Sequence, residues 1–186
     1  MICCCPTLRC SGRLRRPLSF DVRRRMHSSI YQSWGEKAAG NAKSLATESR
    51  LLFEAKHLPR AYYLAHMSTE ESAKSILLRT MSISGTPESE IPKVTKLLRD
   101  HKKKIEFLVT YAASLSEELQ AQIGELQESL IDHINDLKND TMYVSCKAKS
   151  AVSPEEKVAA LDIEQYVQLA EALSQHAVRL LTLPSS

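Results

Sequence analysis

The stretch AYYLAHMSTEESAKSILL, residues 61–78, decides the fold class. Residues three or four positions apart lie on one face of a helix. The apolar residues with this spacing are Leu64, Met67, Leu78 and Met81. Two charged residues, Glu71 and Lys74, occupy positions within the same stripe. The pattern predicts a packed helix with a pair of ionisable side chains inside its apolar face.

A later stretch repeats this arrangement. The corresponding face consists of Val94, Leu97, His101, Lys104, Leu108 and Tyr111. If the two helices are antiparallel neighbours joined through the turn 82–92, the ionisable pairs lie at similar depth, and Glu71 meets His101 or Lys104. The neighbours Glu70, Lys102 and Lys103 lie outside the stripe, and we expect them to be solvated.

The predicted polar layer of Glu71, Lys74, His101 and Lys104 admits three interpretations. An unpaired buried charge costs several kcal/mol, so the layer must be paired, hydrated or open to a cleft. It is a structural layer that fixes helix register, a functional site in which carboxylate and imidazole support acid–base chemistry, or an exposed face. The sequence alone leaves all three open.

The remaining chain also reads as helical. The periodicity predicts helices over 28–55, over about 60–81, from Pro92 to about residue 119 with a continuation to about 140, and from Ser153 onward. Ser153, Pro154 and Glu156 form a capping box at the start of the last helix. Residues 141–154 lack helical periodicity, and we expect MYVSC (142–146) to form a short extended segment that is too short to predict a sheet. We therefore predict an all-α bundle of four to five helices with a short irregular or extended segment before the last helix.

Residues 1–25 differ from the rest of the chain. This leader contains seven arginines and one acid, which gives it a net charge of +6 and leaves −3 for the following 161 residues. It is a transit-type targeting segment, sequence ahead of a true start at Met26, or a basic or lipidated arm. We predict a disordered leader over 1–25 and one helical domain over 26–186.

Several functional classes are excluded or disfavoured. The chain has no run of about 18 apolar residues, so we expect no membrane-spanning helix. The mildly acidic body argues against a global basic surface for nucleic acid. Four of the five cysteines fall in the leader without zinc-finger spacing, and no phosphate loop or metal-binding helix motif is present, so we expect no metal and no cofactor.

Three segments together carry a family resemblance. They are LLFEAKHLPRAYYLAHMSTEESAKSILL (51–78), HKKKIEFL (101–108) and LKNDTMYVSCKAKSAVSPEE (137–156). They resemble the AbiV family of phage abortive-infection proteins, which belongs to the HEPN-like helical superfamily, over about residues 34–175. Two positions depart from the family pattern: Ser72-Ala73 replaces a frequent Gly, and Ser145 stands where an acid often follows Tyr-Val. The second departure weakens a metal or acid–base role for that segment.

The resemblance implies a growth-arrest defence function in a bacterial cytoplasm, with a phage-encoded trigger and a homodimer as expected partners. Many superfamily members are ribonucleases with Arg, four to six residues, then His. Arg60 and His66 satisfy this spacing, but six residues turn a helix by about 600°, which separates them by about 120°. We interpret this match as coincidental, so any endoribonuclease site here is degenerate.

Lys138 and Tyr143 are the better-placed candidates for a catalytic pair. The cation could stabilise a phosphate and the hydroxyl could position or donate a proton. The alternative is that Lys138 complements a helix dipole and Tyr143 fills the core. Lys102 and Asn139 are the accompanying candidates for RNA binding.

Two functions from different classes follow from the sequence. The first is an antiphage protein that binds or cuts RNA. The second is a non-catalytic interaction module, in which the polar layer only sets helix register. A helical protein acquired by an organelle, with the leader as its targeting signal, is the third interpretation.

Overall fold

The structure, a computed structural model, describes residues 20–115, 136–147 and 150–183. Its helices are α1 (Phe20–Glu54), α2 (Leu58–Ile83), α3 (Ile91–Arg99), α4 (His101–Leu115), α5 (136–140), α6 (Pro154–Val158) and α7 (Ile163–Thr182). A 3-10 turn covers Glu88–Glu90, and two short strands are β1 (Ser145–Lys147) and β2 (Ser150–Val152). The predicted all-α bundle with a short extended segment before the last helix is confirmed.

Helix α2 is the centre of the bundle and packs against α1, α7 and α4. Small residues on α2 let α1 approach closely. At this distance the serine hydroxyls of α2 reach backbone carbonyls of α1. Ser68 Oγ donates to the Ala42 carbonyl at 2.8 Å and Ser75 Oγ to the Gly35 carbonyl at 2.9 Å. These two hydrogen bonds hold the backbone of α1 against the small residues of α2.

Three apolar clusters form the core along α2. The first, near the start of α2, contains Tyr62, Ala65, Leu137, Val158 and Val167 among others. The second contains Ala39, Ala73, Ile76, Leu108 and Ala177, and the third contains Tyr31, Leu78 and Val94. Every cluster joins residues from at least three helices, so each helix is held by side-chain packing on its neighbours.

The predicted single helix from Pro92 to about residue 119 is wrong in one respect, because it is broken at Asp100. This residue has φ −83° and ψ 109°, and its side chain accepts a hydrogen bond from the Lys103 amide at 3.1 Å. Asp100 thus caps α4, since a carboxylate satisfies one of the open N–H groups of the first turn. The predicted continuation through Gly124 lies outside the described residues.

The break at Asp100 changes the direction of the chain. Val94 of α3 packs on Leu78, but His101 at the start of α4 meets Glu70, about two turns earlier in α2. Leu108 then packs with Ala73 and Ile76. Helix α4 therefore runs parallel to α2, and the antiparallel arrangement considered from the sequence is not the one observed.

The segment before the last helix forms an antiparallel hairpin, with Ser145 opposite Val152 and Lys147 opposite Ser150. The predicted capping box is present: Ser153 Oγ accepts from the Glu156 amide at 3.2 Å, and Glu156 accepts from the Ser153 amide at 2.7 Å. That helix ends at Val158, and a second one begins after Asp162, so the predicted uninterrupted last helix is wrong.

The start of α1 at Phe20 falls inside the segment predicted as the leader. The boundary between leader and domain at residue 26 stays a prediction. None of the helices in the described ranges has an apolar stretch long enough to cross a membrane.

Candidate functional site

Glu70 is a fully buried carboxylate at the centre of α2, and four side chains donate to it. Its Oε1 accepts from His66 Nε2 at 2.9 Å and from Lys138 Nζ at 3.1 Å. Its Oε2 accepts from His101 Nδ1 at 2.5 Å and from Lys104 Nζ at 2.7 Å. We call these five residues the Glu70 cluster.

Three separate segments bring the cluster together. His66 and Glu70 are four residues apart on α2, the spacing that lets two side chains meet on one helix face. His101 and Lys104 come from the first turn of α4, which the Asp100 cap positions. Lys138 belongs to α5, which is tied to α6 by the ion pair between Lys157 and Asp140 at 2.8 Å.

The charge on Glu70 persists despite its burial. Burial acts to raise the pKa of this carboxyl, but the hydrogen bonds from His66, Lys104 and His101 and the charge of Lys104 outweigh that effect. The pKa of Glu70 therefore lies well below its ordinary value, as expected when several donors stabilise the ionised form. The carboxylate stays negative at neutral pH and holds its four partners in place.

His66 belongs to the inner side of the cluster. Its side chain is 3% exposed, and its ring stacks on Tyr62 with the ring centroids 6.5 Å apart. Tyr62 in turn packs edge-on against Tyr166 at 4.8 Å. These aromatic contacts fix the imidazole of His66 against Glu70, so His66 positions the carboxylate from inside the bundle.

His101 is the one cluster member that opens to solvent. Its side chain is 48% exposed, whereas those of Lys104 and Lys138 are 5% and 8% exposed. Lys138 Nζ lies 3.3 Å from Nδ1 of this imidazole. Both described polar contacts of the ring therefore involve Nδ1, which donates to Glu70. The ring is half-exposed, and its orientation is set by a buried carboxylate.

The predicted polar layer is only partly correct. His101 and Lys104 do meet a carboxylate of α2, but it is Glu70 and not Glu71. Lys74 donates to Glu71, three residues earlier on the same helix, and their side chains are 25% and 12% exposed. The expectation that Glu70 is solvated is wrong, because α2 is packed on several sides and the stripe seen in sequence is not its most buried face.

The two residues of the predicted catalytic pair lie in different environments. Lys138 is buried in the Glu70 cluster, whereas the side chain of Tyr143 is 71% exposed and has no hydrogen bond to the cluster among the described residues. The expectation that Tyr143 fills the core is therefore wrong as well. Lys102 and Asn139 are exposed, each next in sequence to a cluster member.

Arg60 and His66 do not form a pair. Arg60 is exposed and lines a cleft of about 340 Å³ with His57, Thr141, Met142 and Glu155, while His66 is buried against Glu70. The structure thus supports the interpretation that the Arg–His spacing on α2 is coincidental.

His66 and Glu70 are the site residues that sequence reasoning missed. Their spacing of four residues was visible and favours an imidazole–carboxylate contact. The heptad reading placed Glu71 on the core face and left Glu70 outside it. A helix that is buried on several sides has no single apolar stripe. Periodicity therefore selected Glu71 instead of Glu70 as the buried carboxylate.

The residues of the cluster do not suit a metal ion. Two lysine ammonium groups occupy positions around the carboxylate where a cation would bind, and like charge opposes a second cation there. Within the described ranges, no group of three His, Cys, Asp or Glu side chains is arranged to hold a metal.

A comparison with protein families now identifies the chain. The family model HEPN_AbiV, described as AbiV, matches residues 30–175, which include the whole Glu70 cluster. The chain belongs to the AbiV family. The match confirms the resemblance seen in the motifs, and the bundle is HEPN-like. Membership of the AbiV family points to abortive-infection defence. No curated protein and no solved structure matches the chain significantly.

Proposed function

We propose that this AbiV-family protein is an antiphage protein that arrests the growth of the infected cell by cutting RNA at the Glu70 cluster. The observation that carries the proposal is the 2.5 Å contact between Glu70 Oε2 and His101 Nδ1, with the ring half-exposed. A carboxylate that accepts from Nδ1 keeps the proton of a neutral imidazole there, so Nε2 is left as a base toward solvent.

The chemistry that suits this arrangement is transfer within the RNA strand. His101 Nε2 removes the proton of a ribose 2′-hydroxyl, and O2′ attacks the adjacent phosphorus. The P–O5′ bond breaks, which leaves a 2′,3′-cyclic phosphate on one fragment. The leaving 5′ oxygen takes a proton from water, and His101 returns its own proton to solvent.

Other residues contribute binding in this proposal. Lys138, next to both Glu70 and His101, supplies positive charge where negative charge develops on the phosphate. Tyr143 offers an exposed aromatic face on which an unpaired base can stack, which replaces its predicted role as proton donor. Lys102 and Asn139 are exposed near His101 and Lys138 in the chain and are proposed to contact the RNA backbone.

The cellular setting is proposed from family membership alone. We place the protein in a bacterial cytoplasm, with a phage-encoded protein as its trigger and with two copies of the chain forming a homodimer. Each of these assignments is separable from the RNA chemistry at the Glu70 cluster.

A non-catalytic interaction module is the second candidate function. The observation that favours it is the run Met142, Tyr143 and Val144, whose residues are 39%, 71% and 57% exposed. Consecutive exposed apolar residues are typical of a surface that a partner covers.

The test is cleavage of total cellular RNA by purified protein. We expect the wild-type chain to produce fragments with 2′,3′-cyclic phosphate ends, and His101→Asn to reduce the rate by about 10²-fold or more, because one proton-transfer group is lost. His176→Asn is the matched control, since His176 contacts Tyr111 and not the cluster. Lys138→Ala with Tyr143→Phe tests the two residues predicted from sequence.

Growth arrest in infected cells supplies the second readout. His101→Asn should abolish arrest and His176→Asn should preserve it. Equal and negligible RNA cleavage by wild-type and His101→Asn protein would refute the catalytic proposal. Arrest that survives His101→Asn but disappears when Tyr143 is replaced by Ser would favour the interaction module.

A further inference from the structure

We infer that the Glu70 cluster is an anion site that binds a phosphate group beside His101. The inference deepens the proposed function by naming the chemical group that the site holds, and it rests on that function only where RNA is the source of the phosphate. The binding itself is tested without RNA cleavage.

The first step is the charge of the cluster. One carboxylate, Glu70, faces the two ammonium groups of Lys104 and Lys138. These three groups together have a net charge of +1. A carboxylate has about four acceptor positions, and four donors already occupy those of Glu70. Glu70 therefore cannot compensate the charge of the second ammonium group.

The second step is the number of donor hydrogens. Each lysine ammonium has three N–H groups. In the described part of the chain, Lys104 uses one of them on Glu70, and Lys138 uses one on Glu70 and lies 3.3 Å from Nδ1 of His101. Since Nδ1 donates its proton to Glu70, it offers Lys138 no acceptor. Among the described residues, the N–H donors of these two lysines therefore outnumber the side-chain acceptors that they contact.

The third step is where a compensating group can enter. A surplus buried charge is strongly unfavourable unless an opposite charge or water accompanies it. Lys104 and Lys138 are almost fully buried, and the half-exposed ring of His101 is their boundary with solvent. An anion that reaches the cluster thus enters beside His101, where its oxygens can accept from the ammonium groups.

Phosphate fits these features better than a halide or a carboxylate. Its several oxygens accept from more than one N–H group at once, and lysine recognises phosphate as a point charge. The exposed Lys103, one residue before Lys104 in the first turn of α4, adds positive charge on the solvent side. The phosphate comes from a nucleic-acid strand or from free inorganic phosphate.

The experiment is a calorimetric titration of the full chain with inorganic phosphate at constant ionic strength, with chloride as the reference. We expect saturable binding of one phosphate. Lys138→Met removes the surplus charge and should weaken binding about tenfold or more. Glu70→Gln removes the negative charge and should tighten binding about tenfold. Lys74→Met is the matched control and should leave the affinity unchanged.

A second arm covers the case that Glu70→Gln does not fold. Lys104→Met leaves one carboxylate with one ammonium group, as Lys138→Met does. Both variants should weaken phosphate binding about tenfold or more, while circular dichroism shows an intact helical fold. Absence of phosphate binding by wild-type protein, or equal affinities of wild-type, Lys138→Met and Lys104→Met, would overturn the inference.

The source of the phosphate is distinguished with two oligoribonucleotides of one sequence, one with natural linkages and one with uncharged methylphosphonate linkages. If RNA is the source, only the natural strand competes with inorganic phosphate. If neither strand competes while phosphate still binds, the ligand is free phosphate: the anion site stands, and the proposed action on RNA fails.

Discussion

Two adjacent glutamates of α2 differ in burial and in the number of their hydrogen-bond partners. Glu70 is fully buried with four donors, and Glu71 is paired with Lys74 in partial contact with solvent. The two side chains have the same chemistry and differ by 100° around the helix axis. Only the first has an environment that makes its charge structurally necessary.

This difference predicts unequal costs of removing the two charges. Glu70→Gln should lower the free energy of unfolding by about 3–5 kcal/mol, because it leaves two buried ammonium groups without a counter-charge. Glu71→Gln should cost less than about 1 kcal/mol, since that pair is partly solvated. Urea denaturation of both variants measures the contrast, and equal losses would show that the Glu70 cluster does not stabilise the fold.

The lowered pKa of Glu70 predicts acid sensitivity. A carboxyl whose pKa is lower in the folded state stabilises the protein fully above its ordinary value of 4.5, and this contribution is lost as pH falls through the folded pKa. The stability difference between wild-type protein and Glu70→Gln should therefore shrink as pH falls below about 5. Urea titrations at pH 7, 5 and 3.5 measure it, and parallel pH profiles would contradict the assignment.

At the scale of elements, local sequence signals predicted where helices begin and end better than periodicity predicted which helix faces are buried. The Ser153 capping box and the break between the first two helices, predicted between residues 55 and 60, are present. The stop at Asp100 was missed because the apolar spacing continues across it. A capping aspartate inside a periodic stretch is a local signal, and here it outweighs periodicity.

Asp162 offers a test of how much one cap contributes. Its Oδ1 accepts from the Gln165 amide at 3.2 Å at the start of α7. Asp162→Ala should destabilise the protein by about 1 kcal/mol, whereas Asp162→Asn should retain most of the stability because its side-chain oxygen still accepts. The comparison uses urea unfolding, and a loss as large in the Asn variant as in the Ala variant would contradict a capping role.

At the scale of the whole molecule, the three long helices meet at Gly35. A Cβ placed there would lie 3.5 Å from Leu181 of α7 and from the Ser75 carbonyl of α2, whereas a Cβ at Gly40 would meet nothing within 4 Å. The same substitution at these two positions of α1 therefore tests the helix packing directly.

Gly35→Leu should destabilise the protein by about 1–3 kcal/mol, because the added side chain forces α1 away from its neighbours. Gly40→Leu should be neutral or slightly stabilising, since leucine favours the helix over glycine and nothing obstructs it. Thermal unfolding of the pair measures the effect, and equal melting temperatures would show that α1 is not held closely at Gly35.

The site was less predictable than the fold because its contacts depend on how the whole bundle is assembled. Helices and small-residue contacts follow from local spacing, and the family motifs named His101, Lys104 and Lys138. Their shared partner depended on the direction of α4 and on which face of α2 is innermost. Both are properties of the assembled bundle, so periodicity within one helix could not select Glu70.

The composition of the Glu70 cluster also bears on the synthesis of the protein. Its residues lie on three segments, and Lys138 is 68 positions after Glu70. Chains fold as they are translated from the N-terminus, so a nascent chain that ends before α5 has the carboxylate and His101 but not the complete cluster. The site proposed to arrest the cell is then completed only after the segment with Lys138 has left the ribosome.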